Sequence, residues 1–211
     1  MGTLERRERE KEHRHNEIID AAEKVFFAKG LDTSTMDDVA QAAELSKGTI
    51  YLYFKTKEEL YLSIHLRGNK ILKTMFEQAA ADYQIGIEKV RAIGQAYFKF
   101  YEQYPDYFHA LIYYESRQIP HEDDDSVASA CLREGNASLD ILIQSIIIGI
   151  NDGSIRKNID PLKTAISLWG ESTGIIQLIA MHKGVFVEHY NVQAKDIIEY
   201  TFDLIYHSLK P

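Results

Sequence analysis

The chain lacks most of the features that mark secreted, membrane-bound and catalytic proteins. It has a single cysteine, Cys131, which excludes an intramolecular disulfide framework, reads as a core residue and makes a reducing cytoplasm the expected location. The longest apolar run, residues 141–150, is interrupted by Gln144 and Ser145. It is too short to span a bilayer and reads as a helix buried between other helices. The first residues, MGTLERRERE, are charged, so no signal peptide is expected. There is no alternating strand pattern, no internal repeat and no low-complexity tract beyond the charged N-terminal arm. No glycine-rich phosphate loop, nucleophile elbow or paired-carboxylate arrangement stands out. The eight histidines do not fall at metal-ligand spacing: His13 and His15 lie in the charged arm, and His121-Glu122-Asp123 is an acidic, loop-like run. No cofactor, no metal and no enzymatic activity are expected.

An excess of positive charge is also missing. The 211 residues carry a net charge of -8, which argues against a general nucleic-acid coat protein. The balance is uneven, however. Residues 1–57 hold ten Lys/Arg against eleven Asp/Glu. The N-terminal quarter is therefore nearly neutral while the remainder repels phosphate, and any nucleic acid should bind at that end. A hydrophobic content of 45% fits a globular protein with a sizeable core, either one large domain or a small one fused to a larger one.

Helical periodicity fills this frame. Ile18, Ala22, Val25 and Phe26 form one stripe, closed by Gly30. Thr35 and Asp38 predict a capping box ahead of Met36, Val39, Ala40 and Ala43. A brief turn, Ala43-Glu44-Leu45, leads to Ser46 as the next N-cap, with Ile50 and Phe54 facing inward. Thr56 and Glu59 predict a second capping box, opening a fourth helix through Leu60, Ile64, Ile71, Leu72 and Met75. Further helices are predicted over residues 87–104 and from Pro105 to about Arg117. A loop over residues 120–125 leads to a long helix ending near Asn151-Asp152-Gly153. Asp160-Pro161 opens a helix to about Lys183. A last helix carries Ala194, Ile197, Ile198, Thr201, Phe202, Ile205 and Leu209. The fold class is all-α.

Two short helices joined by a tight turn, with a third behind them, make a helix-turn-helix. The segment SKGTIYLYFKTKEEL, residues 46–60, is its second half and carries Lys47, Lys55 and Lys57 with no acid before Glu58. A groove-entering helix needs small or polar outward residues, and Lys47, Gly48, Thr49, Tyr51 and Leu52 meet that need. Gly48 removes the side chain that would block close approach. Hydroxyls and ammoniums hold phosphates, and Leu52 suits a thymine methyl.

The run TSTMDDVAQAAELSKGTIYLYFKTKEEL resembles the DNA-binding signature of the TetR family of bacterial transcriptional repressors, over roughly residues 15–62. The resemblance implies a DNA-binding domain over residues 1–56, with a charged arm at 1–14, and a helical ligand-binding and dimerising domain over 57–211. It implies that Thr35 caps the second helix and touches a phosphate, followed by Ser46 as the cap of the recognition helix. Lys47, Gly48, Thr49 and Leu52 would face the major groove, Tyr51 and Tyr53 would meet phosphates or bases, and Lys57 would hold a further phosphate. Two positions depart from the pattern. Glu44 stands where Gly is common in the turn, and Leu52 where His or another polar or aromatic residue is frequent.

Outside the signature, aromatic residues crowd residues 97–114. Tyrosines on inward faces suit a mainly apolar pocket with a few polar groups, and its candidate lining is Tyr97, Tyr101, Gln144, Trp169, Thr173 and Gln177. The helix opened by Pro161 shows two apolar faces: Leu162, Ala165, Ile166, Trp169 and Thr173 on one, Leu168, Ile175, Leu178 and Ile179 on the other. Gly170 and Gly174 would allow close approach of another helix, so a homodimer is expected. The function implied is sequence-specific regulation of transcription, most often repression, on a palindromic double-stranded operator, modulated by a small-molecule effector. A DNA-organising or division-control protein on the same fold, a helical small-molecule carrier, and an enzyme are the alternatives.

Overall fold

Helix follows helix through the computed structural model, which describes residues 2–115 and 126–211. In order they are α1 (Thr3–Lys29), α2 (Met36–Ala42), α3 (Lys47–Tyr53), α4 (Lys57–Ala81), α5 (Gly86–Gln103), α6 (Pro105–Glu115), α7 (Val127–Asp152), α8 (Pro161–Tyr190) and α9 (Ala194–Leu209). No strand occurs among the described residues, so the all-α class expected from the periodicity is the fold observed. The loop expected over residues 120–125, and the end expected for α6 at Arg117, lie outside the described residues.

Local chemistry sets most helix ends. Thr35 and Asp38 form the reciprocal box that opens α2, and Asp160 caps α8 ahead of Pro161. The box expected at α4 is displaced by one residue. Thr56 Oγ1 accepts the Glu59 N–H at 3.0 Å, but the Glu59 carboxylate accepts from the Lys55 N–H at 2.6 Å rather than from Thr56. α8 runs to Tyr190, well past Lys183. Gly184 does not stop it, because an isolated glycine costs a helix only about 1 kcal/mol. Asn191 stops it instead, at φ 53°, a left-handed conformation that Asn tolerates at a helix end. The charged arm is the first part of α1 and not a separate tail.

The chain forms two compact units: Met1–Gly68 with His109–Leu132, and Asn69–Phe108 with Arg133–Pro211. In the first, α1 packs on α2 and α2 on α3. Ile18, Val39, Ile50, Phe54, Leu60 and Ile64 are at most 1% exposed there, and each stabilises the unit by about 1.5–3 kcal/mol. Arg67 ties α4 to α1 through Asp20 at 2.7 Å and Glu23 at 2.8 Å. Cys131 is buried against Leu62 and Ala128, as expected of a core residue.

In the second unit α5 packs on α8 and α9, and α8 on α9. The start of α5 crosses α7 so closely that a Cβ on Gly86 would lie 2.0 Å from the Gly149 nitrogen. Asp152 and Ser154 hold this crossing, accepting the Gly86 N–H at 2.7 Å and the Ile87 N–H at 3.1 Å. Gly94 makes room for the Phe202 ring in the same way.

Candidate nucleic-acid interface and interior cavity

The turn between α2 and α3 is built from backbone hydrogen bonds. Leu45 N–H donates to Ala40 O at 2.9 Å and Glu44 N–H to Gln41 O at 3.2 Å, the paired bonds of a Schellman motif. That motif needs a left-handed residue, and Glu44 supplies it at φ 55°. The position commonly held by Gly therefore keeps its geometry with Glu in place. Ser46 then opens α3, its hydroxyl accepting the Thr49 N–H at 3.1 Å. Ile50 points into the core, which turns Leu52, 75% exposed, and Tyr51, 38% exposed, to the outside.

Most of the expected DNA-facing residues are exposed, with Thr49 half-buried. Lys47 donates to Asp37 Oδ2 at 2.8 Å, and that hydrogen bond raises its pKa. Such exposed pairs hold weakly and exchange readily for another anion. A Cβ on Gly48 would meet nothing closer than Ser46 Oγ at 3.8 Å, so nothing in this chain requires a glycine there. Thr35 is exposed, with its hydroxyl donating to Asp38 Oδ2 at 2.8 Å. Lys29 hydrogen-bonds the same carboxylate and, with Thr35, holds the Asp38 pKa down at about 2. Tyr53 is half-buried.

Lys57 sits differently from the phosphate-holding role expected of it. Its ammonium donates to Leu31 O at 2.7 Å and Ser34 O at 3.1 Å, clasping the segment before α2. Two of its three donors are thereby committed. Lys55, named in the basic segment but given no contact of its own, reaches back to Tyr51 O at 3.0 Å. His15 does not belong to the solvated arm, because its ring packs on Phe54 at 4.7 Å.

A cavity of about 730 Å³, including the space at its open mouth, lies within the second unit. Its wall comes from α4, α5, α7, α8 and α9 and is mainly apolar, with Leu72, Phe76, Leu142 and Phe202 among the lining residues. Of the six candidates, Tyr97 and Trp169 line it. Thr173 stands one layer out, hydrogen-bonded to the Tyr97 hydroxyl at 2.9 Å. Tyr101 packs on Phe108 at 5.2 Å instead. Gln177 is half-buried and outside the wall, and Gln144 is exposed, because α7 turns Leu142, Ser145 and Ile146 inward. Arg91, Ser172 and Tyr206 line the cavity without having been singled out from the sequence. The available signal was Arg91, a lone charge beside the apolar positions Ile87, Val90, Gly94 and Tyr97.

Among the described residues no helix is long and apolar enough to cross a membrane, and no acidic, His or Cys cluster could hold a metal ion. The run His121-Glu122-Asp123 lies outside those residues.

Residues 18–64 match the family profile of the bacterial regulatory proteins of the tetR family. The uncharacterized HTH-type (helix-turn-helix) transcriptional regulator YfiR of Bacillus subtilis is 43% identical over 54 residues, 26% of this chain and 26% of YfiR. The HTH-type transcriptional activator FasR of Mycolicibacterium smegmatis is 32% identical over 92 residues, 44% of this chain and 42% of FasR. The matched stretches thus span well under half the length of these relatives. The crystal structure of FadR from Bacillus subtilis in complex with stearoyl-CoA is 21% identical, with a TM-score of 0.72 over 92% of this chain and 98% of FadR. That likeness is one of fold. Residues 18–64 thus carry the signature of the tetR family of bacterial regulatory proteins, and the chain shares the helical fold of FadR over nearly its whole length.

Proposed function

We propose that this protein regulates transcription, most often as a repressor, by binding a palindromic operator as a homodimer and releasing or gaining affinity when a small molecule enters its cavity. Residues 1–56 bind DNA and residues 57–211 dimerise and sense the effector. The observation that carries the reading is the capped α2–Schellman turn–α3 unit, which leaves Lys47, Tyr51 and Leu52 exposed and Thr49 half-buried, beside a glycine that the chain itself does not require. Lys47, Gly48, Thr49 and Leu52 face the major groove, Thr35, Ser46, Tyr51 and Tyr53 set the register on the phosphates, and the remaining Lys57 donor adds a contact.

The dimer is supported by α8. Leu162, Ile166, Leu178 and Met181 are 50%, 53%, 45% and 68% exposed, and they form one stripe with Gly170 and Gly174, around whose Cβ positions the chain places nothing within 4 Å. Ala165, Ile176 and Ile179 take the opposite, buried face, with at most 4% exposure. The helix thus has two apolar faces, as expected, with Leu162 and Leu178 outward and Ala165 inward. Apolar stripes of this size mark association surfaces. The cavity, and the stearoyl-CoA held by FadR of similar fold, support a small-molecule effector. α4 is the lever, since its first residue clasps the segment before α2 and its Leu72 and Phe76 line the cavity. A coupling of about 1–3 kcal/mol would change operator affinity roughly 5–150-fold.

Selection from random duplex DNA at one moderate salt concentration tests the proposal, because salt sets non-specific affinity. Enrichment of an inverted repeat, with half-sites about one helical turn apart, supports it. An unenriched pool with only weak, salt-sensitive binding contradicts it.

A further inference from the structure

Arg91 is the only charged side chain in the cavity wall. Its nearest acid, Asp203, lies 3.9 Å away, beyond hydrogen-bonding distance, and both side chains reach solvent. Among the described residues none of its five N–H donors is engaged in a hydrogen bond. The guanidinium lies 5.5 Å from the centre of the Tyr206 ring, and the Lys210 ammonium lies 4.3 Å from the same ring. Tyr206 itself lines the cavity, its hydroxyl donating to Glu88 at 3.3 Å. Two cations therefore converge on one aromatic ring in the wall of an apolar cavity, in a chain whose net charge is -8. An apolar ligand alone would need neither.

The wall also holds a group with no hydrogen-bond partner. Ser138, Ser145 and Thr201 bond back to the carbonyl four residues earlier. Ser172, in the cavity wall and 6% exposed, makes no such bond. Its hydroxyl is open to the cavity and available to a ligand. The wall therefore suits an apolar body with a polar group along it and a negative charge at one end.

We infer that the cavity binds an anionic amphiphile, its chain among Leu72, Phe76, Leu142 and Phe202, a polar group at Ser172, and its anionic head at Arg91 beside Tyr206, with the Lys210 cation on the same ring adding to the positive field. This rests on the effector-binding reading above. The head group is a carboxylate or the phosphates of a thioester-linked carrier, since a guanidinium donates to either in a bidentate fork.

Trp169 is the only tryptophan and lines the cavity, so its fluorescence reports occupancy directly. The full protein would be titrated, below micelle formation, with decanoate, decanoyl-CoA, decanol and decyltrimethylammonium. The expected order is an anionic probe at least tenfold tighter than decanol, and the cation weakest. Arg91→Ala should abolish that preference, weakening the anions at least tenfold more than decanol, and Arg91→Lys should restore part of it. The Arg91 ion pair is exposed and long, so the alanine variant should fold, which its melting temperature checks. Decanoate preferred over decanoyl-CoA identifies a free acid, and the reverse order a thioester. Decanol bound as tightly as both anions overturns the head-group assignment while sparing the effector reading. No fluorescence response to any probe overturns both.

Discussion

Glu44 occupies a left-handed backbone conformation that costs a residue with a side chain about 1–2 kcal/mol relative to the right-handed one. Glycine is free of that cost but loses more entropy on folding. Glu44→Gly should therefore stabilise the protein modestly, by about 0.5–1 kcal/mol, read as a higher urea midpoint with an unchanged slope. His65 supplies a second test. Burial pushes its pKa down to about 4 from the ordinary 6.5. The unfolded chain therefore binds the proton first as pH falls, and stability should drop between about pH 6.5 and pH 4. The loss should be roughly 2 kcal/mol at pH 5 relative to pH 7, measured by urea unfolding. His65→Gln should flatten most of that slope, leaving a smaller part from His15, whose pKa burial also lowers. Asp38 adds nothing in this window. Its folded pKa is depressed to about 2, so its support is lost only as pH falls from about 3.8 toward 2. At this scale the sequence was legible wherever partners lie three residues apart, as in Thr35 with Asp38 and Ser46 with Thr49. Lys57 was not, because carbonyls donated by a distant segment leave no pattern in the chain.

Helices show the same division between local and long-range determinants. The order and approximate bounds of α1 to α9 were readable from stripes, caps and prolines. The length of α8 was not, since Gly184 counts as a stop only when nothing beyond it packs or continues the helix. The rotation of each helix was partly hidden too. Period alone places Gln144 and Leu142 on one helix without saying which faces inward, and packing turned Leu142 to the cavity. Likewise, the shared aromatic density around residue 100 pointed to Tyr97 but could not separate it from Tyr101, which packs elsewhere. Two helices approach very closely at Gly86, where any Cβ collides with the backbone of Gly149. Gly86→Ala should cost about 1–3 kcal/mol or more, because backbone cannot yield as a flexible side chain does. Thermal unfolding of the variant measures this, and the conservative change at the open Gly48 should leave stability almost unaltered.

The whole molecule carries an outward apolar stripe on α8 that a single chain leaves uncovered. Placing a charge in its middle should be tolerated by the isolated chain and resisted by a pair. Ile166→Glu is therefore expected to yield folded monomers by sedimentation, with unchanged helical content, and to weaken operator binding at least a hundredfold, since each half-site then binds alone. The stripe was legible as an excess of apolar residues around α8, but the membership of its two faces required the fold. The central claim is that two copies read one symmetric operator through α3. It is tested most directly by titrating the full protein against the selected duplex and against the same duplex with one half-site scrambled, following fluorescence anisotropy and stoichiometry together. Two chains per intact duplex, with affinity lost on scrambling either half, is the predicted result. One chain per duplex, or equal affinity for the scrambled site, would contradict it.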